Sequence, residues 1–156
     1  MAYARTDARN EVKVILIADA DDAPLTLSVS FANIITSRVY PTDKLNLPHV
    51  AISTIEENID EDRGTMSGKK YRELLVAIEI RAKKTTGLDT QMDAYALEIE
   101  KLMVAAPTLN GKAKSYRLQS TDIEMDAEAE QLRALMTMVY RALYRVARTD
   151  PSTLIS

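Results

Sequence analysis

The sequence predicts a single α+β domain, and three observations carry that expectation. Its 156 residues fit one domain with a sizeable core. Two stretches repeat apolar residues at helical spacing, and one long stretch alternates apolar with polar residues as a half-buried strand does.

The first helix is read from Ala4 to Ala18, where Ala8, Val12, Ile15 and Leu16 share a face and Arg5, Arg9 and Lys13 fall on another. The short acids of Asp19 to Asp22 and then Pro24 predict a loop after it. Leu25 to Tyr40, rich in Val, Ile, Thr and Ser, reads as extended and closes at Pro41. The clearest strand is Tyr71 to Lys84, with Leu74, Val76, Ile78, Ile80 and Ala82 on one face. A shorter β-rich run, His49 to Ile55, precedes it. The charged segment Glu56 to Lys70 reads as a long hairpin loop, with Gly64 and Gly68 as turn-permissive positions.

Thr86-Gly-Leu-Asp89 has the form of a weak capping box and opens a second helix, whose stripe is Met92, Tyr95, Ala96, Ile99, Leu102 and Met103. Pro107 ends it, and Asn110-Gly111 marks a turn. Lys112 to Met125 reads as a strand with a bulge, because its apolar set changes parity from Tyr116 and Leu118 to Ile123 and Met125. Leu132 to Val146 fits helix and strand periods equally, so pattern leaves that element open. Residues 1–147 are expected to form the domain and 148–156 an extended tail.

Composition narrows the chemistry. With 20 basic and 23 acidic side chains the net charge is −3, too near neutral to mark a nucleic-acid binder by charge alone. Zero Cys removes disulfides, thiolate nucleophiles and Cys-ligated metals, and the lone His49 cannot form a His-rich metal site. The longest uncharged stretch, Ala23 to Ser37, is too short and too polar to span a bilayer. The N-terminus mixes acids and bases before any apolar run, unlike a secretory signal, and synthesis in a reducing cytoplasm fits best.

Candidate sites are few. No phosphate-cradling glycine motif or nucleophile elbow occurs, and His49 has no patterned nucleophile nearby. Asn58, Asp60 and Asp62 mimic the start of a calcium loop, but Arg63 and Lys69 stand where Gly and Glu are needed. Glu79, Arg81 and Lys83 can be stretched toward a metal-nuclease motif, yet strand alternation explains them. The loop residues Glu56, Glu57, Asp60, Glu61, Asp62, Arg63, Lys69 and Lys70 have acidic and basic ends suited to docking, so they are the candidate assembly contacts. Asp122, Glu124, Asp126, Glu128 and Glu130 recur at every second position, a carboxylate ladder with a rung about every 7 Å if extended. It is a charge-protected strand edge, the polar wall of a channel, or an electrostatic contact to a partner. Tyr140, Arg141, Tyr144, Arg145 and Arg148 interleave aromatic and basic residues as nucleic-acid platforms do, but without a wider basic surface packing and interface roles are preferred.

In order and spacing, several strings resemble the tail terminator proteins of long-tailed bacteriophages, the minor tail protein U group. They are the N-terminal helix, Ser37-Arg-Val-Tyr-Pro41, Leu47-Pro-His-Val-Ala-Ile52, Arg72-Glu-Leu-Leu-Val-Ala-Ile-Glu-Ile80, the Leu88 to Met103 helix, Pro107-Thr-Leu-Asn-Gly111 and Val139-Tyr140. The resemblance spans roughly residues 5 to 147, and departs from the family at Ala23 to Thr36 and in the tail. It implies a compact α+β subunit, with a mainly antiparallel or mixed sheet flanked by two helices, and it favours strand for residues 134–147. It further implies a non-enzymatic virion protein without cofactor. Its hexameric ring would be assembled in the host cytoplasm, cap the tail tube and meet the head–tail connector. DNA would cross the lumen without specific binding, with Asp122, Glu124 and Asp126 as candidate lumen residues. Another connector or tube subunit, or a small metal-dependent enzyme acting on nucleic acid, are the competing readings.

Overall fold

The computed structural model describes residues 3–22, 34–35, 49–65, 69–84, 87–126, 132–147, 150 and 152–154. Their elements are α1 (Ala4–Asp22), β1 (Ile34–Ile35), β2 (His49–Thr65), β3 (Lys69–Lys84), α2 (Leu88–Val104), β4 (Ser115–Asp126) and β5 (Leu132–Ala147). The strands form one sheet in the order β1-β2-β3-β5-β4, parallel between β1 and β2 and antiparallel elsewhere. This is the expected α+β architecture, with both helices packed on one face of the sheet.

The sheet is built around β3 and β5, which pair from Lys69↔Ala147 to Lys84↔Leu132 without a break. Even-numbered positions of both strands, Leu74, Val76, Ile78, Ile80 and Ala82 against Ala134, Met136, Met138, Tyr140, Ala142, Tyr144 and Val146, are buried on the helix side. The element that pattern left open is therefore a strand. Two central strands flanked by neighbours on both edges gain more from the ladder than an isolated helix would, which decides between equal periods.

Helix α1 buries Ala4, Ala8, Val12 and Leu16, one residue per turn, and runs through Asp22 rather than stopping at Ala18 as the acids suggested. Helix α2 buries Leu88, Met92, Tyr95, Ile99 and Met103. Its start corrects the capping-box reading. Gly87 takes the N-cap position at φ 69°, a left-handed conformation natural to glycine, and no side chain among the described residues caps the helix; Thr86 lies outside them. The turn after α2 keeps Leu109, Asn110 and Gly111 all at positive φ, and the fully buried Leu109 side chain holds it down. Asn110 Nδ2 donates to Glu11 Oε1 at 2.8 Å, tying this turn to α1.

The main correction is the hairpin. Glu56 to Thr65, expected as loop, continues β2 and pairs with β3 as far as Thr65↔Lys69. A register shift at Ile55 lets this charged half fit. It brings Glu57 to the helix side opposite Leu74 and sends Glu56 to the other face. The bulge predicted in β4 is present between Leu118 and Ser120. Of the Leu25 to Tyr40 segment, Ile34 and Ile35 are extended, and its other residues lie outside those described. The tail expected to be extended turns back, since Asp150 accepts from Ser152 and Thr153 and Leu154 bridges Val146.

Candidate functional site

On the helix side, the hairpin bulge builds a buried polar cluster. Arg72 occupies an inward position of β3 and donates to Glu57 Oε1 at 2.6 Å, with each side chain 9% exposed. Arg72 also donates to the hydroxyl of Tyr3, while Tyr144 donates its phenol proton to Glu57 Oε2. Burial works against the Arg72 charge, but the hydrogen bonds to Tyr3 and Glu57 outweigh it and raise its pKa. Burial, reinforced by the Glu57 carboxylate, pushes the Tyr144 phenol well above its ordinary range. The cluster fastens the start of α1 to three strands. Glu57 is thereby removed from the candidate assembly contacts, because a carboxylate engaged on both oxygens inside the fold cannot dock on a neighbour.

The signal for this cluster was present in the sequence. Arg72 falls in phase with Leu74, Val76 and Ile78, and an arginine on an apolar face requires an acid. Only the loop reading of Glu56 to Lys70 hid its partner.

On the opposite face an open depression of about 540 Å³ lies across the sheet, lined by Glu56, Asn58, Glu73, Leu75, Arg117 and Arg141 among others. Arg141 pairs with Glu73, and Arg145 donates to the Tyr71 hydroxyl at 3.2 Å. Arg145 and Lys114 also lie over the Tyr71 ring, at 5.3 and 5.9 Å from its centroid. These side chains resolve the aromatic and basic interleaving of β5. Tyr140 and Tyr144 point into the core and Arg141 and Arg145 out of it, so the pattern is strand alternation rather than a stacking platform. Arg148 lies outside the described residues.

The remaining candidates divide. Asp60, Glu61, Asp62 and Arg63 lie in β2, and Lys69 and Lys70 open β3; their side chains, like that of His49, lie outside those described. The structure thus brings these residues into one two-stranded arm instead of a loop. Asp122 and Glu124 are exposed in β4, on the face away from the helices, and Asp126 ends that strand at the next alternate position. Glu128 and Glu130 fall outside the described residues. Among the described residues no group of three or more acids or histidines converges on a point where a metal could bind.

Inside the core, the rings of Tyr116 and Tyr140 stack at 4.7 Å with 9° between planes. Neither hydroxyl has a hydrogen-bond partner among the described residues. Burial raises both phenol pKa values.

No protein-family model matches the chain, and no curated protein matches it. Among solved structures, a chain of the virion of a native gene transfer agent particle superposes with a TM-score of 0.53 at 17% sequence identity. The match covers 85% of this chain and 90% of that chain. At that identity the likeness is one of fold, and it extends over nearly the whole of both chains.

Proposed function

We propose that the chain is a structural virion protein that acts as a tail terminator: a subunit of a hexameric ring that caps the tail tube, ends its polymerisation and offers the surface for the head–tail connector. The observation that carries this reading is the fold likeness to a virion chain over 85% of this chain. The strings from Ser37-Arg-Val-Tyr-Pro41 to Val139-Tyr140 support the narrower role. A subunit of this kind needs persistent surfaces rather than a reaction centre, and the outer edge of β4, unpaired among the described residues, and the charged face of the sheet are available for them.

In this reading the β2–β3 arm with Glu56, Asp60, Glu61, Asp62, Arg63, Lys69 and Lys70 contacts the tube or the adjacent subunit. Asp122, Glu124 and Asp126 face the lumen, where carboxylates repel passing DNA and keep the wall from holding it. The partners are further copies of the chain, the tail tube protein and the connector, and DNA passes without specific binding. Electron cryomicroscopy of assembled particles tests the proposal. A six-fold ring of this chain at the head-proximal end of the tube is expected, and its absence from that position overturns the role. Density along the tube or in the connector instead would favour a tube or connector subunit, a reading that the same fold likeness to a virion chain leaves open.

A further inference from the structure

Strand β4 ends the sheet, and among the described residues nothing pairs with its outer edge. It is unusual for a free edge in exposing three large apolar side chains: Leu118 at 36%, Ile123 at 49% and Met125 at 44%. All three lie on the helix side, opposite Tyr140, Met136 and Ala134 of β5. On the other side stands an unresolved charge. Arg117 is directly opposite Arg141, a like-charge pairing that destabilises a ladder. Glu73 pairs with Arg141, but Arg117 forms no ion pair among the described residues.

The bulge supplies the missing half. A regular strand folded antiparallel on a second copy of itself about Thr121 would set Leu118 against Glu124 and Arg117 against Met125. With Gln119 as the extra residue of the bulge, each partner shifts by one. Leu118 then faces Ile123, Arg117 faces Glu124 and Tyr116 faces Met125 of the second copy, and by symmetry each contact occurs twice. Side chains opposite one another in this way lie about 5 Å apart and on one face of the sheet. The three exposed apolar groups and Arg117, which forms no ion pair among the described residues, are answered in a single register.

We propose that β4 is the docking edge for a second copy of this chain, joined antiparallel about a two-fold axis through Thr121, with Arg117 of each copy paired to Glu124 of the other. A two-fold contact closes on itself, so the free edge is shielded without growth of an endless sheet. The inference does not rest on the tail-terminator reading. It describes the protein free of a tube, and a ring would form after the pair had separated.

The test is sedimentation velocity of the full chain over a concentration series. The wild type is expected to reach twice the 17.4 kDa of one chain. Arg117→Glu and Glu124→Arg each place like charges opposite one another at both contacts, and each should raise the dissociation constant about tenfold or more. The double variant R117E/E124R restores opposite charges and should recover most of the wild-type affinity. Ile123→Glu, set against Leu118, should weaken the pair independently. Circular dichroism verifies folding of each variant, as is expected for exposed positions. A wild-type mass other than that of two chains overturns the proposal. So does a single reversal that leaves the affinity unchanged, or a folded double variant as weak as the singles.

Discussion

Replacing Glu57 by alanine isolates what the buried cluster contributes. Arg72 keeps its proton under all ordinary conditions, so removing the carboxylate 2.6 Å away strands a cation whose side chain is 9% exposed. Among the described residues only the Tyr3 hydroxyl remains for it, and the Tyr144 phenol loses its acceptor. Breaking such a pair from one side costs about 3–5 kcal/mol, most of it the penalty of the uncompensated charge. For a domain of this length each kcal/mol lowers the melting temperature by about 2–4 °C, so a fall of roughly 6–20 °C is expected. Urea titration and thermal melts followed by circular dichroism measure it. Replacing both partners, Glu57→Leu with Arg72→Met, should cost less than Glu57→Ala alone, because no charge is left behind. If Glu57→Ala lies within about 0.5 kcal/mol of wild type, the residue behaves as an ordinary surface acid and the cluster has no structural role.

Further outcomes follow from the same description. Tyr116→Phe deletes a buried hydroxyl that has no partner among the described residues and should stabilise the fold by about 1 kcal/mol in urea titration, with the stack to Tyr140 preserved. Stability should fall as pH rises above about 10, where unfolded tyrosines ionise while Tyr116, Tyr140 and Tyr144 hold their protons; the folded state then binds more protons, and melts at pH 9 and pH 11 check the sign. Changing Asp60, Glu61 and Asp62 to Ser together should leave the far-ultraviolet spectrum unchanged but reduce the yield of capped tails; a normal yield removes the arm from assembly. Reversing Asp122, Glu124 and Asp126 to Lys should leave particles intact and slow DNA ejection, most strongly at low salt, and an ejection rate independent of salt refutes the lumen placement.

The sequence already contained the spine of this fold. Alternation from Leu74 to Ala82 needs no context, because a strand covered by helices on one face must repeat every second residue. The parity change from Leu118 to Ile123 was legible for the same reason, since a bulge is the cheapest way to keep apolar groups on one side. The second half of β2 was not legible. There the inward positions are Glu57 and Ile59, and an ion pair with Arg72 takes the place of an apolar contact. Charge normally marks solvent, and only the tertiary partner reverses that meaning. Gly87 illustrates a different limit, because the helix start was set by backbone conformation one residue after the side chain that seemed suited to cap it. Of the candidate contacts, Asp122 and Glu124 of β4 are exposed, whereas Glu57 was misplaced by the loop assignment.

The order β1-β2-β3-β5-β4 also bears on how the molecule is made. β5, the last of the described strands, is inserted between two that are synthesised earlier, and β3 and β5 pair across the whole of α2 and β4. Until residue 147 has left the ribosome, β3 has an open edge and β4 has no strand partner among the described residues. A nascent or truncated chain therefore presents two sticky ladders, the condition under which strands find wrong partners. Closure by a late, distant strand is slow compared with hairpin formation, so the β2–β3 ribbon waits while the rest is completed. The same delay acts as a timer: no chain can offer a finished sheet to any assembly before β5 has been made.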